Sequence, residues 1–75
     1  TMREKILAIW QSIRSDVDFE TETALLSGGV LESLDIVSFL FAVSDDLGVT
    51  IPVAKIKPAH FDSLDKMLDL INNLK

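Results

Sequence analysis

The sequence predicts an all-α fold, a small four-helix bundle of three longer helices and one short third helix. Three observations carry that reading. Apolar residues recur at helical spacing in three separate stretches. The one extended segment, Val49-Thr50-Ile51-Pro52-Val53, has no second strand to pair with. Gly48 stands where the middle stretch ends, as helix-terminating glycines do. Seventy-five residues make one domain, 1–75, able to bury roughly 60–65% of its unfolded surface. That is enough for a single core and too little for a deep, enclosed active site.

In the first helix, about residues 2–14, Met2, Ile6, Ile9, Trp10 and Ile13 form the apolar stripe, with Arg3, Glu4, Lys5, Gln11 and Arg14 opposite. Thr1 is left outside this reading. Ser15-Asp16-Val17-Asp18 ends the helix, and no period is sustained from there to Glu32. A loop of that length is unusual in so small a domain, and Phe19, Leu25, Leu26, Val30 and Leu31 are the residues expected to pin it. Its acids Asp16, Asp18, Glu20 and Glu22 do not form a calcium loop: Thr21 and Ser27 stand where an EF-hand starting at Asp16 needs glycine and a bidentate glutamate. Gly28 or Gly29 is expected to hold positive φ at the turn into the next helix.

The second helix spans about Ser33 to Leu47. Ile36, Leu40, Val43 and Leu47, with Phe39 beside them, form a broad core face, and Leu34, Val37 and Phe41 fall on a neighbouring line that is expected to stay partly exposed. Asp35 favours the helix dipole, while Asp45 and Asp46 oppose it. After the Gly48 cap and the connector, Ala54 to Lys57 are expected to form the short third helix before Pro58, with Phe61 as an anchor. The last helix starts at Asp62 or Ser63 and runs to about Leu74, with Leu64, Met67, Leu68 and Ile71 inward. Trp10, Phe39, Leu40 and Ile71 are expected to be buried.

Composition narrows the function classes. A net charge of −5 with seven scattered basic residues speaks against nucleic acid, whose phosphates are bound by clustered Lys and Arg. Basic protein surfaces are the more natural partners. With 48% hydrophobic and 25% charged residues the chain is expected to fold, and no apolar run reaches the length of a membrane span. The absence of cysteine excludes a disulfide framework and a thiolate metal site, and no signal-peptide core follows Thr1-Met2-Arg3-Glu4. Cytoplasm and a monomer are the expectations. Catalysis by the chain itself is not expected. A serine nucleophile needs a base and a group to orient that base, and the single histidine, His60, has no sequence relation to Ser33. No phosphate loop, metal cluster or Gly-x-Ser-x-Gly elbow occurs.

The stretch Gly28-Gly29-Val30-Leu31-Glu32-Ser33-Leu34-Asp35-Ile36-Val37 organises the chain: a loop closes on two glycines and a serine between acids opens an apolar helix. Taken alone, Ser33 reads as an N-cap, whose loss would cost about 1 kcal/mol. Gly-Val-Leu-Glu-Ser-Leu-Asp, followed by Val37, Leu40 and Ile51-Pro52, resembles the acyl carrier protein family, small helical proteins that bear 4′-phosphopantetheine. The resemblance covers about residues 19–74. It implies that Ser33 carries the covalent 4′-phosphopantetheine arm, that the arm's thiol holds acyl intermediates as thioesters, as in fatty acid biosynthesis, and that Glu32, Leu34, Asp35, Val37 and Phe41 dock partner enzymes. Those partners would be a phosphopantetheinyl transferase (a holo-acyl-carrier-protein synthase), an acyl- or aminoacyl-loading ligase and acyl-transferring enzymes with basic patches.

Asp62-Ser63-Leu64-Asp65 is the nearer literal match to an Asp-Ser-Leu motif, but it lacks the long loop, the paired glycines and the downstream Ile-Pro, so Ser63 is read as the cap of the last helix. Ser38 and Ser44 replace acids common in the family, and Glu32 replaces the commoner aspartate. The tail from Ile51-Pro52-Val53 through Phe61-Asp62-Ser63 and Lys66-Met67 also resembles D-alanyl carrier proteins of teichoic acid modification, which implies an aminoacyl cargo as an alternative. A helical protein-interaction domain without a prosthetic group is the alternative from another class.

Overall fold

The period of each amphipathic stretch is realised as a helix. The computed structural model describes residues 1–74, which contain α1 (Met2–Ile13), α2 (Ser33–Leu47), α3 (Pro58–Phe61) and α4 (Leu64–Leu74), with a 3₁₀ turn at Val53–Lys55. No strand occurs among the described residues. Thr1, outside the periodic pattern, belongs to α1 as its N-cap: its hydroxyl accepts from the Glu4 N–H at 3.2 Å, which satisfies one of the free donors of the first turn. At the other end Arg14 turns extended (φ −136°) and leaves the helix.

The helix that touches both of the other long ones is α1, which packs against α2 and α4, while α3 packs on α4. Its Trp10 is fully buried and stacks on Phe39 of α2 at a centroid distance of 4.3 Å and on Phe19 of the long loop at 5.2 Å. Phe61 of α3 completes the row, edge-on to Phe39 at 6.1 Å. The indole N–H donates to the Met67 sulfur of α4 at 2.9 Å, so the polar atom of this large side chain is partnered inside the core.

Two expected core positions are displaced. Leu40 is only half-buried, because it lines a groove described below. On α4 the inward set is Leu64, Met67, Leu70 and Ile71, with Leu68 half-buried. The buried face of α4 is centred on Met67 and Ile71 and takes in Leu70 in place of Leu68.

The short third helix also lies later than expected. Residues 53–55 make only a 3₁₀ turn, and α3 begins at Pro58 itself. Proline lacks an N–H that the first helical position does not need, and its fixed φ suits that position; the residue read as a stop is therefore a start. Gly48 closes α2 at φ 66°, and the Val49 N–H reaches back to the Val43 carbonyl, the wrap expected of a left-handed cap.

The long loop is ordered by burial and by one carboxylate. Phe19, Leu25 and Leu31 are buried, and Gly29, not Gly28, takes the positive φ of 74°. Asp62, just after α3, accepts from the Leu26 N–H at 2.9 Å and the Ser27 N–H at 2.7 Å with one oxygen, and from the Ser27 hydroxyl at 2.8 Å with the other. Its own carbonyl accepts from the Leu25 N–H at 2.9 Å. The Ser27 N–H, with the other bonds to this loop and nearby Lys66, holds the Asp62 carboxyl below the usual carboxylate range.

Three outcomes are expected from this architecture. Trp10→Ala should lower unfolding stability by about 3–5 kcal/mol in denaturant titration. A depressed folded-state pKa means that Asp62 stabilises above the unfolded carboxylate value, near about 4, and that this contribution fades as pH falls through the lower folded value. Asp62→Asn, which keeps an acceptor for the two N–H groups, should therefore flatten the acid limb of a melting-temperature profile relative to the unsubstituted chain, whereas Asp62→Ala should lower the melting temperature at neutral pH.

Candidate functional site

The long loop delivers the chain to the start of α2. Glu32, in extended conformation (φ −102°, ψ 166°), is the N-cap, and its carbonyl accepts the first helical bond, from the Ile36 N–H at 3.2 Å. Asp35, three residues on, folds back and accepts from the Glu32 N–H at 2.9 Å. Ser33 is thus the first residue inside the helix, not its cap. Among the described residues its hydroxyl makes no hydrogen bond, and the residue is exposed.

Ser63 has the opposite fate. Its hydroxyl accepts from the Lys66 N–H at 3.2 Å, so it caps α4. The two serines look alike in sequence, yet one hydroxyl is engaged and the other is free.

Around Ser33 the structure brings together some of the sequence-selected residues and separates one. Leu34, Val37 and Phe41 are 76%, 46% and 73% exposed, a contiguous apolar line along α2. Glu32 is exposed beside them. Asp35 is not on that surface. It is 9% exposed and faces inward, where Arg14 donates to it at 2.7 Å. A carboxylate held in this way is withdrawn from an incoming partner, so of the two acids flanking Ser33 only Glu32 is presented.

Sequence reading missed two contributors. The helical spacing sets Arg14 on the solvent side of α1, but its guanidinium donates to Asp16, Asp35 and the Val30 carbonyl. Hydrogen bonds to Asp16 and then Asp35 raise its pKa above the ordinary arginine value, and the same guanidinium keeps Asp16 below its own. An arginine at a helix end with an acid two residues on was the available local signal; the Asp35 contact, 21 residues away, left none. Val53, in the connector, is 82% exposed and adds a large apolar side chain to the neighbourhood.

Ser33 and Glu32 line a groove of about 440 Å³ together with the apolar side chains of Leu26, Leu31, Ile36, Val37, Leu40, Val53 and Ile56. A second hollow of about 330 Å³, between Phe41, Ser44 and Ile51, continues it and shares Val37 and Leu40. The result is a shallow apolar trough running down α2 from the free hydroxyl. Among the described residues no group of three or more His, Cys, Asp or Glu is placed to hold a metal ion, and no helix is long and apolar enough to cross a membrane. Compared with protein-family models the chain matches none, and among curated proteins no relative matches it.

The two hydroxyls should separate in stability measurements. Ser33→Ala should change unfolding free energy by less than about 0.5 kcal/mol, as for a surface residue without special contacts, in place of the cap loss expected from sequence. Ser63→Ala should cost about 1 kcal/mol as a lost cap.

Proposed function

We propose that the protein is an acyl carrier protein and that Ser33 bears 4′-phosphopantetheine. The observation that carries the reading is the free, exposed hydroxyl at the first position of α2, beside exposed apolar side chains and above an apolar trough. A phosphodiester there lies at the positive end of a fifteen-residue helix, where unpaired N–H groups and the dipole favour an anion. On this reading the four-helix architecture is that of the carrier family.

The modification is a phosphoryl transfer from coenzyme A. A bond forms between Ser33 Oγ and the phosphorus that carries pantetheine, and the bond from that phosphorus to the adenosine bisphosphate breaks. The hydroxyl proton passes to a base of the transferase, and adenosine 3′,5′-bisphosphate leaves. The chain supplies the acceptor and the docking surface; the transferase supplies base and magnesium. The arm brings a thiol to a chain without cysteine and tethers its cargo, which raises the effective concentration at successive enzymes.

Glu32 serves the encounter with a basic partner, and Leu34, Val37 and Phe41 offer it an apolar contact. The apolar walls beside Ser33 favour an acyl cargo over an aminoacyl one, whose ammonium would lose hydration against Leu26, Val53 and Ile56. The protein acts as a substrate and shuttle and does not itself catalyse.

Incubation with coenzyme A and a broad-specificity phosphopantetheinyl transferase should add a single arm, seen by intact-mass spectrometry. Ser33→Ala should abolish the addition and Ser63→Ala should leave it. Absence of any addition to the unsubstituted chain, with circular dichroism showing it folded, would instead favour a helical interaction domain that uses Val37 and Phe41 without a prosthetic group.

A further inference from the structure

At the end of α1 the chain turns so that the Arg14 side chain fills the space in front of α2. It grips Asp16 with two parallel bonds of 2.9 and 3.0 Å, the Val30 carbonyl at 3.1 Å and Asp35 at 2.7 Å. Asp35 passes the connection on to the Glu32 N–H at 2.9 Å. An unbroken series of charge-assisted bonds thus leads from α1 to the backbone of the residue before Ser33, and a parallel bond fixes Val30, the third residue before it. The site is sheltered: the Arg14 side chain is 25% exposed and that of Asp35 12%. Such bonds are stronger than neutral ones, and the planar fork of arginine sets direction as well as attraction.

We propose that Arg14 is the positioning residue for the Ser33 hydroxyl, acting through Asp35 and the Val30 carbonyl to set the first turn of α2. The proposal rests on the carrier reading of Ser33. It divides the two acids flanking the serine: Glu32 meets the transferase, and Asp35 is an internal strut that Arg14 keeps occupied. A group transfer depends on holding the nucleophile in line with the phosphorus, so the strut affects turnover and the exposed acid affects encounter. Lysine cannot reproduce the arrangement, because a single ammonium does not span Asp16, Val30 and Asp35 with fixed angles.

The test uses the full chain and two readouts on Arg14→Gln, Arg14→Lys and Glu32→Gln. The first is independent of any cofactor: amide hydrogen exchange at Glu32 and Ile36, whose N–H groups are bonded to Asp35 and to the Glu32 carbonyl, should quicken by about tenfold in Arg14→Gln, while the α4 amides of Met67 to Ile71 stay as they were. Equal quickening at both places would mark a merely global loss of stability and overturn the proposal. The second is the rate of arm transfer from coenzyme A. Arg14→Gln should lower kcat by about tenfold with KM changed by less than about twofold, and Glu32→Gln should do the reverse. Arg14→Lys, which keeps the charge and so guards against failure to fold, should shift both readouts in the same direction as Arg14→Gln. Transfer to Arg14→Gln at the unsubstituted kcat would remove this inference and leave the carrier reading standing. An unsubstituted chain that accepts no arm would remove the carrier reading and with it the role for Ser33, and the exchange data would still decide whether Arg14 sets the turn.

Discussion

The stacking of Trp10 between Phe19 and Phe39 is the contact on which the rest of the structure depends. Aromatic rings bury more area than any other side chain and gain further from stacked and edge-on geometry. Here one ring draws in a residue from α1, one from the irregular loop and one from α2, and Phe61 extends the row to α3. A loop without regular secondary structure would ordinarily be mobile. Phe19 converts part of it into core, and that is what lets so short a chain carry a long approach to α2.

Burial fixes the loop at its beginning; polar bonds fix it at its end. Asp62 holds Leu26 and Ser27 from one side, and Arg14 holds Val30 from the other. The two residues act on consecutive stretches, and both use an ionised group against backbone donors or acceptors, bonds that are worth more than neutral ones. Among the described residues every buried side-chain nitrogen or oxygen has a partner. The mouth of α2 is therefore set by Asp35 from within and by Arg14 and Asp62 from outside, while the hydroxyl that stands in it, that of Ser33, makes no hydrogen bond among the described residues.

What was legible in the sequence was what depends on neighbours along the chain. The period of α1, α2 and α4, the left-handed Gly48, the anchoring Phe61 and the capping Ser63 follow from spacing within a few residues. What was not legible depends on distant partners or on which of two local rules wins. Ser33 satisfies the sequence rule for an N-cap, but Asp35 already takes the Glu32 N–H, and that places the cap one residue earlier. Pro58 obeys both the rule that prolines end helices and the rule that they begin them; the 3₁₀ turn before it leaves only the second. Leu40 lines the groove and so stays half-buried, and on α4 Leu70 is buried where Leu68 was expected, because the packing of neighbouring elements, not the helical period alone, decides which flank is covered. Arg14 and Asp62 act across 21 and 36 residues, and no single-sequence pattern spans such a gap.

The tryptophan at the centre is also the only one in the chain. Its excited state therefore samples a single environment, bounded by two phenyl faces and a thioether, with no water in contact. Emission at short wavelength is the optical signature of that enclosure. Any event that pries the loop, α1 and α2 apart registers as a red shift, and occupancy of the outer face of α2 leaves the band where it was, so the molecule carries an unlabelled indicator that tells disruption from docking.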